Sequence, residues 1–510
     1  MLSILISVVL IAPRADEPPA IASPDVELIL RDISTWYFDR EKSQSLLEPL
    51  IKQHGKDWNA RAEKGDADYM VLVGYCKFRG IGEEKSLEQA FVLFQQAAEK
   101  QQPLGQFLLG VCYVQGDGVT KDPREGVRQL MLAADKKVTV VHVFLGRMYH
   151  YGHGVPKNYD KAVKWLQKAD RSHPEGLYLL GTCYDWGYGV GQDRSAAAEY
   201  YRQAAELGHD YGMGQWGESL IVGAGVPRNE VEGFRWLQKS AERKVARAAA
   251  LLGRCYKHGT GVKANLSEAI KWVKRSAELG DGYGSSLYGT ALLKGDGIER
   301  NPVEGVMWIR KAAEEDDLYS IGLLSRCYLN GDGVDKNNLE AIKWLSKGVD
   351  RKDAYCECLL GMCYLRGEGV EKDQNKGFDI VYRSSEKGNL YAMTTVGRCY
   401  LEGTGVDQDD EQAIKYFIKA AKSGDSYGQT MLGTCYMYGK GVEPDEKEGF
   451  QWYKKAAEQD DTWAQERVGH CYENGVGVDA NLELAIKWYR KAAEAGDEDA
   501  KDALARLKAN

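Results

Sequence analysis

Apolar residues along this 510-residue chain recur at intervals of three and four, with short polar interruptions at regular places. In "YCECLLGMCYLRG" (355–367) the apolar positions follow a 3.6-residue period, which predicts a first helix that buries one stripe. "EAIKWVKRSAELGD" (268–281) has the same periodicity, and its closing Gly-Asp predicts the end of a second helix and the start of the next. Between the two helix types stands a Gly-x-Gly followed by Val. The first glycine falls where a helix ends and a left-handed residue is wanted, and the second lets the chain double back. The valine then enters the groove between the helices. The predicted element is a helix–turn–helix, with helix A before the glycines and helix B after them.

The unit repeats. Aligned on the glycine within helix A, it recurs at 74, 110, 146, 181, 217, 253, 289, 361, 397, 433 and 469, with Ser325 taking the glycine's place once. The spacing is 36, broken by a single 35 between 146 and 181. The Gly-x-Gly follows in all twelve units, from Gly80/Gly82 to Gly475/Gly477, so its glycines are architecture rather than a phosphate-binding turn, which would follow a strand. Nine units carry Tyr three residues after the aligned glycine, and seven carry Trp in helix B: Trp165, Trp236, Trp272, Trp308, Trp344, Trp452 and Trp488. One such unit cannot bury its own apolar face, but stacked neighbours can, which predicts an all-α solenoid. From the fifth unit a small helix-B residue alternates (Gly233, Ala269, Gly305, Ala341, Gly377, Ala413, Gly449, Ala485), giving a 72-residue superperiod.

The slots "LGxxY", "GxGV" and "A…W…KAAExGD" resemble the Sel1-like repeat, a 36-residue relative of the tetratricopeptide repeat, over residues 66–496. The resemblance implies a right-handed α-solenoid of twelve helix-turn-helix repeats. It leaves residues 1–22 as a signal peptide, 23–65 as a degenerate N-terminal cap and 497–510 as a closing helix. Met148 in the Cys slot, and Lys77, Leu220 and Leu292 in the Tyr slot, are mild departures. The family's cysteine-rich branch carries a second Cys per repeat for internal bridges, and this chain does not. The resemblance further implies an adaptor that recruits another protein, with helix A lining the concave groove.

With 44% hydrophobic and 28% charged residues, the chain has the composition of a folded globular protein rather than a disordered one. A net charge of −8 argues against a nucleic-acid partner, whose surface would carry a basic patch. The apolar run Leu2–Ala12 is too short to span a bilayer but suits a signal-peptide core, with Ala20-Ile21-Ala22 as a cleavage site. Export to the periplasm or the exterior is the resulting expectation, and no integral membrane segment is expected. The alternatives are a buried N-terminal segment or a misplaced start. Eleven cysteines point instead to a cytoplasmic chain. Nine of them share one slot per repeat, too far apart to bridge, so all eleven are expected as free thiols in the core.

No catalytic residue, metal site or cofactor is expected. Ser384-Ser385-Glu386-Lys387 matches the SxxK of penicillin-recognising enzymes, but no SDN or KTG accompanies it. His142, His150 and His153 lack the Cys or carboxylate that would complete a zinc set. The loop 330–340 lacks a calcium loop's sixth-position glycine. The candidate surface is a pair of rows on helix A. Six residues before the aligned glycine stand Tyr211, Arg247, Tyr283, Tyr319, Tyr355, Tyr391, Tyr427 and Trp463. One residue after it stand Glu218, Arg254, Thr290, Arg326, Met362, Arg398, Thr434 and His470, with Arg147 earlier in the chain. Seven residues are two helical turns, so the rows share a face and Tyr319 stands above Arg326, as Tyr391 does above Arg398. Such a ladder suits an extended acidic peptide of a partner protein. Alternatively, the rings pack against the preceding helix B while the arginines pair with Asp or Glu. A second candidate patch is Tyr151, His153, Trp186 and Tyr188. Two other functions compete with the adaptor: a glycan or cell-wall binder using the aromatic ladder, and a penicillin-recognising hydrolase.

Overall fold

A computed structural model of the chain describes residues 40–136, 139–169 and 173–509, together with 26, 29 and 30. The apolar N-terminal run and its cleavage site lie outside the described residues. Among the described residues there are 26 helices and no strand. Helix A spans 13 residues in each repeat, from Ala67–Arg79 in the first to Thr462–Asn474 in the twelfth. Helix B runs from Leu87–Glu99 in the first repeat to Leu482–Glu494 in the twelfth. In the third repeat it is only Tyr159–Lys168, which is where the single 35-residue spacing falls.

The ninth repeat illustrates how the sequence makes these elements. Helix A (Ala354–Arg366) ends at Gly367, whose φ of 77° is left-handed and whose N–H bonds the Cys363 carbonyl. Gly369 (φ 73°) passes so close to the preceding repeat that a Cβ there would lie 2.6 Å from the Asn338 carbonyl oxygen. Helix B (Gln374–Glu386) then starts on Asp373, whose carboxylate accepts from the Lys376 N–H at 3.0 Å. A Ser, Asp or Asn side chain caps helix B in the same way in all twelve repeats.

Helix A is more deeply buried than one stripe allows. In the sixth repeat Ala248, Ala249, Ala250, Leu251, Leu252, Gly253 and Cys255 are all buried. Helices A pack against helices B and, in several repeats, against a neighbouring helix A as well; that of the sixth repeat meets helix B of its own repeat and helix A of the seventh. Helix B keeps an apolar stripe and a solvated face. The aligned glycine permits the A–B crossing: a Cβ on Gly361 would lie 2.5 Å from Val381 Cγ2 and 2.9 Å from the Gly377 carbonyl. In odd-numbered repeats from the fifth on, that glycine faces another (Gly217–Gly233, Gly289–Gly305, Gly361–Gly377, Gly433–Gly449), so the 72-residue superperiod is an alternation in the residue helix B sets against helix A at the crossing.

Two compact parts divide the chain, residues 1–243 and 244–510. In the first, helix Arg40–Glu63 buries Leu47 and Trp58 on the first repeat. In the second, helix Glu498–Ala509 sets Ala500 and Ala503 against the core of the last repeats. All eleven cysteines are buried free thiols. Among the described residues no helix is long and apolar enough to cross a membrane.

Candidate functional site

In residues 244–510, consecutive helices A pack on one another in the sixth and seventh repeats and from the eighth to the tenth. Their exposed residues form the surface on which the two rows lie. The arginines reach across repeats. Arg254 Nη1 donates to the Tyr283 hydroxyl at 2.9 Å, while the Arg247 guanidinium lies 4.1 Å from the centre of the same ring. Arg398 and Tyr427 interact through charge, and Arg398 Nε stands 3.5 Å from Glu402 Oε1. Arg326 acts on Tyr355 through its charge, and that ring lies over the backbone of helix A in the repeat before, 2.5 Å from where a Gly322 Cβ would be. The contacting ring therefore belongs to the next repeat, 29 residues on. The surface it covers at Gly322 is helix A, not helix B.

The rings fall into two kinds. Tyr283, Tyr355 and Tyr427 are half-buried, whereas Tyr319 and Tyr391 are 53% and 43% exposed. Trp463 is half-buried, 6.4 Å from Tyr427, with the Arg467 guanidinium 5.8 Å from its ring. His470 is exposed. Burial raises the Tyr355 and Tyr391 hydroxyls above the ordinary phenol value, against the lowering effect of nearby arginines. Among the described residues, neither Arg254 nor Arg326 has a carboxylate within ion-pair distance. Of these three arginines only Arg398 is paired with an acid.

In residues 1–243 the second patch splits into two stacks. Tyr151 stacks on His153 at 5.6 Å, and Trp186 on Tyr188 at 6.4 Å, with Tyr188 stacked in turn on Tyr159 at 4.3 Å. His150 is buried between them. Sequence reasoning missed a polar group on the same helices: Glu175 bonds His209 Nε2 at 2.9 Å, and Tyr178 stacks on that imidazole at 4.7 Å. Burial works to raise the Glu175 carboxyl, but the His209 hydrogen bond and the charge of Arg147 hold it below its ordinary value. Glu175 occupies the slot that, from the fifth repeat on, holds a ring in every repeat but the sixth, where it is Arg247, so the signal was present as an acidic residue just before the aromatic row begins.

The Sel1 repeat model matches twelve consecutive segments, from 67–101 and 103–135 to 426–461 and 464–497. This chain belongs to the Sel1 repeat family. It is similar to the crystal structure of a protective antigen present in uropathogenic Escherichia coli strains, described as displaying an SLR fold. That match is 31% identical over 89% of this chain and 96% of the other, with a TM-score of 0.57. A Sel1 repeat protein from Oxalobacter formigenes is 27% identical over 61% of this chain and 89% of the other, at a TM-score of 0.38. Sel1 repeat proteins are generally non-catalytic scaffolds for protein–protein interaction.

Within this Sel1 array the side chains that imitate catalytic sets are held for packing. Ser384 is buried and donates to the Ala354 carbonyl at 2.6 Å, while Lys387 is paired with Glu357 at 2.6 Å. Cys183 Sγ lies 3.6 Å from His150 Nδ1, which resembles a nucleophile and its base. Burial pushes that thiol up to about 12 and lowers the imidazole, so both groups stay neutral and no thiolate forms near neutral pH. Among the described residues no group of three or more His, Cys, Asp or Glu could hold a metal ion.

Proposed function

We propose that this Sel1 array is a scaffold whose helix-A face in residues 244–510 binds an extended acidic peptide of a partner protein. One observation carries the reading. In a chain of net charge −8, Arg254 and Arg326 have no carboxylate partner among the described residues, on a helix-A face that carries both half-buried and exposed aromatic rings. A guanidinium offers five N–H donors in a fixed fork, and the hydroxyl of Tyr283 occupies only part of that of Arg254. Carboxylates of a partner would complete the set with charge-assisted hydrogen bonds. The test is affinity capture from native lysate by the wild-type chain and by R254A/R326A/R398A, in low and high salt. Capture lost in the variant and weakened by salt supports the reading, because exposed ion pairs are screened. Capture unchanged by all three substitutions overturns it. Export is a separate part of the proposal: a mature chain beginning at Ser23 supports cleavage after Ala22, and an intact Met1 overturns it.

A further inference from the structure

If the helix-A face takes an acidic peptide, its own periodicity dictates the register of that peptide, an inference that rests on the acidic-peptide reading. The chemistry of the face alternates from one repeat junction to the next. At the junctions between repeats six and seven, eight and nine, and ten and eleven, an arginine precedes the following ring by 29 residues: Arg254 bonds the Tyr283 hydroxyl, while Arg326 and Arg398 act on Tyr355 and Tyr427 through their charge. At the two junctions between these, the arginine is replaced. Thr290 returns its hydroxyl to the Ser286 carbonyl at 2.7 Å, and Met362 is buried. The rings of the next repeat at those two junctions, Tyr319 and Tyr391, are the two exposed ones. The alternation ends at the twelfth repeat, where Trp463 packs against the core.

The spacing of these junctions fits one kind of peptide. With each repeat advancing the face by about one packed-helix spacing, roughly 10 Å, successive arginine junctions fall about 20 Å apart, with the exposed tyrosine of the intervening repeat between them. A polyproline II segment rises about 3.1 Å per residue with about three residues per turn, so about six residues cover that distance. In that conformation residues i, i+3 and i+6 face the same side. A β-strand covers a similar length in about six residues, but its side chains alternate and residue i+3 would point away from the surface.

We propose that this face selects a polyproline II segment with acidic side chains at i and i+6. These sit over two arginine junctions, and a proline at i+3 sits over the tyrosine between them. The exposed tyrosine face takes the proline ring, as aromatic-lined grooves generally do with this conformation. The guanidinium forks on either side take the carboxylates.

Fluorescence anisotropy on the full chain tests this with two synthetic peptides of one composition. The in-register peptide carries Glu at i, i+6 and i+12 with Pro at i+3 and i+9. In the shifted peptide Glu falls at i, i+5 and i+10, and Pro at i+2 and i+7. The in-register peptide is expected to bind at least about tenfold tighter, the loss of one charged hydrogen bond. Y319A/Y391A is expected to erase that preference, and R254A/R326A/R398A to weaken both peptides. Equal binding of the two peptides by the wild-type chain overturns the register and leaves the acidic-peptide reading standing. Failure of both to bind overturns register and reading together.

Discussion

Two glycines of the ninth repeat separate what a left-handed turn requires from what its neighbours require. Gly388 (φ 88°) closes helix B with nothing within 4 Å of an added Cβ. The corresponding position elsewhere holds Lys244, Asp316, Lys352 and Asp460, all at φ between 61° and 66°. Gly369 has a similar φ, but its Cβ would strike the carbonyl oxygen of Asn338. Left-handed backbone alone costs an L-residue about 1–2 kcal/mol, and a clash with backbone adds to it. G369A is therefore expected to destabilise by well over about 2 kcal/mol in urea denaturation, and G388N by less than about 1 kcal/mol. The reverse order would mean that the loop glycine is not a geometric requirement. Both glycines were legible as turn residues. Their difference was not, because the obstructing carbonyl comes from the preceding repeat, about 30 residues away in sequence. The same limit applies to the rings. Their slot follows from the 36-residue period, but their exposure does not: Trp463 follows Thr434 by 29 residues as Tyr319 follows Thr290, yet Trp463 is half-buried on the core and Tyr319 is exposed.

Helix ends, not helix stripes, carry most of the information at the level of the element. An Asp opens helix A in the first repeat and in five of the six repeats from the seventh on, as Asp353 does for Cys356 at 2.8 Å. In the fifth repeat a histidine takes over. His209 Nδ1 accepts from the Gly212 N–H at 3.0 Å, which leaves the neutral ring's Nε2–H to donate to Glu175. Losing an N-cap costs about 1 kcal/mol, and a partly buried carboxylate left without its donor adds to that. H209A is expected to lose more stability in chemical denaturation than H209N, whose amide oxygen keeps the cap. Adding E175Q should recover part of the H209A loss. If the two His209 variants are equal, the imidazole is not a cap. The helix-B cap slot was legible as a Ser, Asp or Asn before each second helix, yet the repeat was recognised from its Gly, Tyr and Trp slots instead. The deep burial of helix A was not legible, since it depends on two or more neighbouring helices at once.

For the molecule as a whole, the period foretold twelve stacked units, and stacking explains why every thiol ends inside a helix interface. The helices Arg40–Glu63 and Glu498–Ala509 stand where the slots give out and cover apolar residues of the first and last repeats. Burial against those interfaces pushes the thiols of Cys76, Cys112, Cys183, Cys358, Cys363, Cys435 and Cys471 up to about 12, and those of Cys327 and Cys399 to about 11. In the unfolded chain the same thiols ionise near 9. Between those limits the folded state binds more protons than the unfolded one, so stability is intact below about pH 9 and falls as pH rises. Each thiol contributes about 1.4 kcal/mol per pH unit in that window, and they act together because neighbouring repeats unfold together. The unfolding midpoint is therefore expected to be nearly level from pH 6 to about 8.5 and to drop steeply above about 9. At pH 8 a thiol reagent should label almost none of the eleven cysteines in the native chain and all of them after denaturation. A level midpoint through the alkaline range, with thiols labelled in the native chain, would mean that the repeat interfaces open to water and that burial does not govern these groups.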